Sequence, residues 1–457
     1  MSRETFVFTS STLRSLRVQR EILEWEDQKR ALSRRLIGRR PMPGSMKSRS
    51  AKRRSETWHC RDAAIHNAVY TGDLRSICHI FKDEDSVNMI IETVSEELVW
   101  SPELGLWTLT PKQKQTSALR IAAARGYTDC LRHLLMHGAD INAAPGGQTA
   151  LHDACANKQT ESTELLLSFG ANPNVFSEEG VTPLHLCNTP ETFQCAKSLL
   201  EYGAKVNLQS KENHSTALHT AAKHGLEEHL KLYLCYGADI FHRTREGETA
   251  LNAACAGADK PRDSGRYYRI VIKLIECGAD VKVAGRKKHT PLHNACGNAH
   301  ARVVELLLQH GAQVNDANSA GYTPMDCILH AVEDYLEWQP ERIVLSLFNY
   351  GAAAVDPEML KLCALSPQTM EIVLNMYQHV PSATSWVEKV TPDVWKQHQT
   401  FYDSVIQMVN QPRQLQHIAR CAVRKHLGSR CYSSISSLKL PNSLKEYLLL
   451  KLEGYIK

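Results

Sequence analysis

Thr290-Pro291-Leu292-His293, with Gly311-Ala312 closing the leucine-rich stretch behind it, is the unit that decides the fold. Thr ahead of an apolar segment caps a helix by accepting N–H groups that its first turn leaves free. Pro fits the first helical position because it has no N–H to lose. Ala295 and Cys296 are small enough to let paired helices approach, and Gly supplies the left-handed backbone that ends a second helix. The unit therefore reads as two short helices joined by a turn. Neither can bury its apolar face alone, so the unit has to be stacked on others.

The same pattern recurs at about 33-residue intervals between about residue 116 and residue 360. Its turn returns as Thr149-Ala150-Leu151-His152, Thr182-Pro183-Leu184-His185 and Thr216-Ala217-Leu218-His219, with variants at Thr249-Ala250-Leu251-Asn252 and Thr323-Pro324-Met325-Asp326. Its closing pair returns at Gly138-Ala139, Gly170-Ala171, Gly203-Ala204, Gly237-Ala238, Gly278-Ala279 and Gly351-Ala352. The region resembles the ankyrin repeat, and the resemblance implies an all-α solenoid. Two units are long. One carries a polar insertion from Gly257 to Tyr268, expected to form an exposed loop between its helices, and the other is stretched from Tyr335 to Pro340.

Upstream, residues 60–115 read as a degraded unit followed by an insertion. Ala63-Ala64-Ile65-His66-Asn67-Ala68 looks like a first helix. Leu98-Val99-Trp100 and Leu106-Trp107-Thr108-Leu109 flank Ser101-Pro102-Glu103-Leu104-Gly105 as a small hairpin, whose tryptophans are expected to cover the open end of the stack. Residues 1–57 form a basic extension with fifteen Lys/Arg against six Asp/Glu. A helix is expected from Leu13 to about Ile37, then a break at Pro41 and a basic, serine-rich linker to Arg54. The linker reads as a solvated tether, with Lys52-Arg53-Arg54 as a nuclear signal in the second reading.

Charged residues make up 23% of the chain and apolar residues 43%, the balance of a soluble globular protein. No apolar run reaches the roughly eighteen residues needed to span a bilayer, and no secretory signal is visible. The expected location is the cytoplasm, with the nucleus as a second place, and the 14 cysteines are expected to be reduced thiols. His152 with Cys155 and His293 with Cys296 share a metal-like spacing. Each His, however, is a repeat-turn residue and each Cys a small helix residue, so no metal site and no cofactor are expected. No phosphate loop or nucleophile signature is present, so no catalytic residue is assigned. A net charge of +5 without interleaved aromatics gives no reason to expect nucleic-acid binding. On the turn tips, Arg243, Arg245, Arg286, Lys287 and Lys288 cluster as a candidate surface for an acidic protein partner.

The C-terminal segment, residues 410–457, follows a connector at 361–409 whose Trp386, Val390, Trp395, Tyr402 and Val405 suggest further helices. Within it Leu415, Ile418, Ala419, Ala422 and Val423 recur at steps of three and four. They line one stripe of a helix opened by Pro412 and running to Leu427. A short linker, Leu438-Lys439-Leu440-Pro441 and the run Tyr447-Leu448-Leu449-Leu450 follow. This segment resembles a SOCS box, so the whole chain is similar to the ankyrin repeat and SOCS box family. The resemblance implies a substrate receptor of a cullin-RING ubiquitin ligase whose box binds elongin C with elongin B, and cullin-5 with its RING partner. Leu415 matches the first place of the family's elongin motif and Val423 its last, with Ile418 extending the stripe. Ala419 stands where the family has Cys. Leu438, Leu440 and Pro441 match the cullin motif, in which Lys439 replaces a Pro. The alternative is an ankyrin scaffold or nuclear regulator whose tail caps the stack. The target protein is not legible.

Overall fold

The computed structural model describes residues 59–101, 106–257, 264–285, 287–409 and 411–451, with the backbone alone for residues 95–101, 106–113 and 385. The expected N-terminal helix, the linker with Lys52-Arg53-Arg54, the role of Trp100 and Trp107, and Arg286 lie outside these descriptions.

Helices α1 (Ala63–Thr71) and α2 (Leu74–Ile80) form the first pair, followed by the short α3 (Glu84–Val87). A short strand β1 (His59–Cys60) runs parallel to β2 (Ile90–Ser101), which pairs antiparallel with β3 (Leu106–Ser117). The hairpin is longer than its sequence suggested. Polar residues such as Lys112-Gln113-Lys114-Gln115 pair with Ser95-Val94-Thr93-Glu92, although they carry no alternation that would mark a half-buried strand. Beyond β3 the solenoid continues through α4 (Ala118–Arg125) with α5 (Thr128–Met136), and α6 (Ala150–Ala156) with α7 (Thr160–Ser168). In the next unit the first helix shrinks to a 3-10 turn, Pro183–Leu186, before α8 (Phe193–Glu201). Pro190 restricts Thr189 to an extended conformation there, so the first helix cannot be prolonged. The stack then runs through α9 (Ala217–Lys223), α10 (Glu227–Cys235), α11 (Ala250–Gly257), α12 (Ser264–Glu276), α13 (Pro291–Gly297), α14 (Ala301–Gln309), α15 (Pro324–Ala331) and α16 (Pro340–Asn349).

The helices are held by a column of fully buried leucines, Leu134, Leu166, Leu199, Leu230, Leu274, Leu307 and Leu347, each on the second helix of its unit. Burying each contributes about 1.5–3 kcal/mol, and the alanines opposite (Ala122, Ala154, Ala221, Ala254 and Ala295) allow the close approach. The insertion departs from expectation. Its residues Ser264–Tyr268 belong to α12, which is thereby extended, and Tyr267 is buried with its hydroxyl donating to the Lys223 carbonyl at 2.8 Å.

Two ladders join neighbouring units. In the first, Thr149, Thr182, Thr216 and Thr290 cap their helices, and the His three residues on accepts at Nδ1 from the Thr backbone N–H. Its Nε2–H then reaches a carbonyl of the next unit: His152 to Val181, His185 to Ser215, His219 to Glu248 and His293 to Tyr322, at 2.9–3.2 Å. Burial pushes all four imidazoles down, His219 to about 4, so they stay neutral and keep this tautomer at pH 7. In the second ladder an Asn four residues after the Gly of the closing Gly-Ala motif bridges to the next unit. Asn174 donates to the Gly203 carbonyl and accepts from Lys205 N; Asn207 does the same with Gly237 and Asp239, and Asn315 with Gly351 and Ala353.

Past α16 come a 3-10 turn Pro357–Leu362, α17 (Pro367–Leu374), α18 (Pro392–Gln397) and α19 (Gln399–Met408). Trp386, Tyr402 and Val405 are fully buried among them, as the connector's aromatic content suggested. Three last helices follow: α20 (Leu415–Leu427), α21 (Cys431–Ser437) and α22 (Asn442–Leu448).

Candidate docking face of the C-terminal helices

Helix α20 begins at Leu415 with Gln414 as its cap, so Pro412 lies outside it rather than at its first position. The stretch after it is not a linker. Cys431 and Ile435 are the buried side of a helix, α21, hidden in the sequence by its serines, two of whose hydroxyls, Ser433 and Ser437, fold back on carbonyls of the preceding turn.

The orientation of α20 decides what it can do. An amphipathic helix normally turns its apolar stripe to the core and its charges to water. Here the polar face is inward: His417, Arg420 and Arg424 are buried against α16, α17 and α22. The apolar stripe is outward, with Leu415 81% and Val423 40% exposed, Ala419 and Ala422 exposed, and Ile418 half-buried. A cap on the last repeat would bury that stripe. Leu438 is also exposed on the turn leading into α22, while Leu440 packs partly on the small core of Cys431, Ile435, Leu448 and Leu449. Pro441 and Lys439 are exposed.

The inward face is built by hydrogen bonds that sequence reasoning missed. Arg424 donates from Nη1 to Asn349 Oδ1 at 2.9 Å and to the Leu448 carbonyl at 2.6 Å, while Asn349 Nδ2 donates to the Leu449 carbonyl at 3.0 Å. Arg413 and Arg420 each donate to Asn375 Oδ1 at 3.1 Å and also to His417 Nδ1. His417 in turn donates from Nε2 to the Tyr377 carbonyl at 2.8 Å. Burial, with the two guanidiniums beside it, drives the His417 imidazole down to about 4, so it remains a neutral acceptor for them. The Arg420 guanidinium lies 4.4 Å over the Tyr447 ring. Gly351, at φ +91°, completes the seat: a Cβ there would lie 2.6 Å from the Ser429 backbone. These contacts fix α20 on the end of the stack and leave its stripe free. Cys421 faces the carbonyls of Asn375 and Met376 and is no part of that stripe.

The second candidate surface lies on the turns that project between units, called fingers below. Arg243, Arg245, Lys287 and Lys288 are exposed on two neighbouring fingers, whose register is set by Arg245 N donating to the Asn213 carbonyl and Ser319 N to the Lys287 carbonyl. Between them lies a cleft of about 470 Å³ whose walls include Glu246, Glu248, Lys287, His289 and Asn294. Phe241, which no sequence pattern singled out, is 64% exposed at the base of the first finger. Among the described residues no group of three or more His, Cys, Asp or Glu side chains is placed to hold a metal ion.

Comparison with known proteins adds independent information. The ankyrin repeat model, described as three copies, matches residues 65–177, 119–210, 164–244, 184–260 and 262–351, and the SOCS box model matches residues 411–449. The chain is 54% identical over 457 residues to ankyrin repeat and SOCS box protein 16 of Homo sapiens, covering 100% of both. It is 40% identical over 380 residues to protein 18 of that series from Homo sapiens, covering 81% of this chain and 82% of the relative. With protein 10 from Homo sapiens the identity is 37% over 411 residues, covering 86% and 88%.

Proposed function

The chain belongs to the ankyrin repeat and SOCS box family, and from that membership we propose that it is the substrate receptor of an elongin–cullin ubiquitin ligase. SOCS boxes in general bind elongin B/C and cullin-5 complexes, and the family is in general one of non-catalytic adaptors. The observation that carries the reading to this chain is the inverted helix α20, whose apolar stripe faces water while its arginines are buried. A side chain as exposed as Leu415 costs little where it stands, yet it contributes about 2 kcal/mol or more once enclosed by a partner.

In this reading Leu415 enters elongin C as the anchor, with Ile418, Ala419 and Val423 packing beside it. Ala419 is smaller than the family's Cys and buries less there. Leu438, Leu440 and Pro441 meet cullin-5, and Lys439 brings a charge where the family has Pro. The repeats hold the target, and the ligase gains rate by proximity, since a tethered lysine meets the charged conjugating enzyme at a high effective concentration.

Co-purification tests this. Tagged full-length protein from cells should retain elongins B and C and cullin-5, and Leu415→Asp should lose them while leaving the thermal transition unchanged. Absence of the elongins from the unmutated protein, or their retention by Leu415→Asp, would rule the receptor role out.

A further inference from the structure

Two local rules of this solenoid are broken on the fingers that follow α10 and α12, and each break exposes an apolar or cationic side chain. The bridging Asn of the second ladder is Asn174, Asn207 and Asn315 elsewhere, but Phe241 and Lys282 occupy its place here. Phe has no polar atom and Lys no acceptor, so neither can bridge. At the finger tip, where Gly180, Gly247 and Gly321 hold the positive φ, the second finger has Lys288 at φ 56°, and the finger before the first has His214 at φ 55°. Proteins that break a local rule without structural gain do so mainly at functional positions.

Along the first finger, exposure alternates. Phe241, Arg243 and Arg245 are exposed, while His242 Nε2–H donates to the His214 carbonyl and Thr244 Oγ1 accepts from Glu248 N. The three exposed residues therefore share one outward row. None of Arg243, Arg245, Lys282, Lys287 and Lys288 has an ion pair among the described residues. Some cations elsewhere in the stack do have one: Lys158 with Glu191, Lys231 with Glu227, and Arg269 with Glu227. Glu246 and Glu248 offset part of this charge, but their side chains line the cleft between the fingers.

We propose that this row binds an acidic segment bearing an apolar side chain, with Phe241 taking the apolar group and the five cations taking carboxylates. The proposal rests on the receptor reading only in that the segment would belong to the protein presented for ubiquitination. Aromatic anchors ringed by polar contacts are what binding hot spots consist of.

The test is selection of random sixteen-residue peptides displayed on phage, against the full chain. Selected peptides should be enriched in Asp or Glu together with Leu, Ile, Phe or Met. Their affinity should fall about tenfold or more with Phe241→Asn, and likewise with Arg243→Glu plus Arg245→Glu. It should also weaken as salt rises. Phe241→Asn restores a ladder residue, so a lost interaction with unchanged or higher melting temperature cannot be misfolding. Leu415→Asp should leave peptide binding intact, which separates this surface from elongin docking. No selection above a blank surface, peptides without acidic enrichment, or equal binding by the variants would overturn the proposal.

Discussion

Leu415 and Phe241 are both large apolar side chains in water, and in each the neighbouring residues explain why the exposure is kept. Leu415 is outward because His417, Arg420 and Arg424 on the same helix are committed inward. Phe241 is outward because it occupies a bridging position that asks for Asn. Restoring that bridge by Phe241→Asn should stabilise the fold by about 1 kcal/mol, the net worth of a hydrogen bond, seen as a higher denaturation midpoint. At Ala419 the effect should show in binding: Ala419→Cys adds buried apolar area against elongin C and should tighten the complex several-fold, by about 1 kcal/mol in a titration. The stripe was legible in the sequence because three-and-four spacing is a local property. The value of Phe241 was not, because it depends on which atoms face it across a neighbouring unit.

Helices and turns carry the next level. Every Thr-x-x-His turn was readable, since cap, Pro and closing Gly act within a few residues of one another. The strands β2 and β3 run longer than their sequence suggests, and α21 reads in sequence as a linker, because Ser-rich and Lys/Gln-rich segments owe their conformation to what they pair or pack with. The seat of α20 was equally hidden: nothing in its sequence says that Arg424 meets Asn349. Two glycines test that seat. Gly311→Ala meets open space at φ +85° and should cost about 1 kcal/mol for the backbone alone. Gly351→Ala has the same backbone penalty plus a clash with Ser429, adding about 1–3 kcal/mol. Paired melting curves should separate them, and only Gly351→Ala should weaken elongin retention.

Across the whole molecule, stack and box are joined by neutral histidines and buried arginines, and this makes the assembly sensitive to acid. His219, His229 and His417 are held at about 4 by burial, against 6.5 for a free imidazole. Their folded values are depressed, so between these limits the unfolded chain binds more protons than the folded one. Stability is therefore full above about pH 6.5 and is lost as pH falls toward 4, on the order of 3 kcal/mol for each group. Denaturant midpoints measured across that window should fall, and His219→Gln should flatten the slope. Protonation of His417 should loosen the box contacts, as hydrogen exchange of α20 across that window would show.

The receptor role itself turns on one interface. Purified full-length chain titrated with elongin B/C in a calorimeter should bind with one-to-one stoichiometry and a heat-capacity decrease from apolar burial. With Leu415→Asp the same titration should be weaker by about a hundredfold or more, since a charge would enter the pocket in place of the anchor. Equal affinity of the two proteins, or no heat with the unmutated chain, would contradict docking through the outward face of α20.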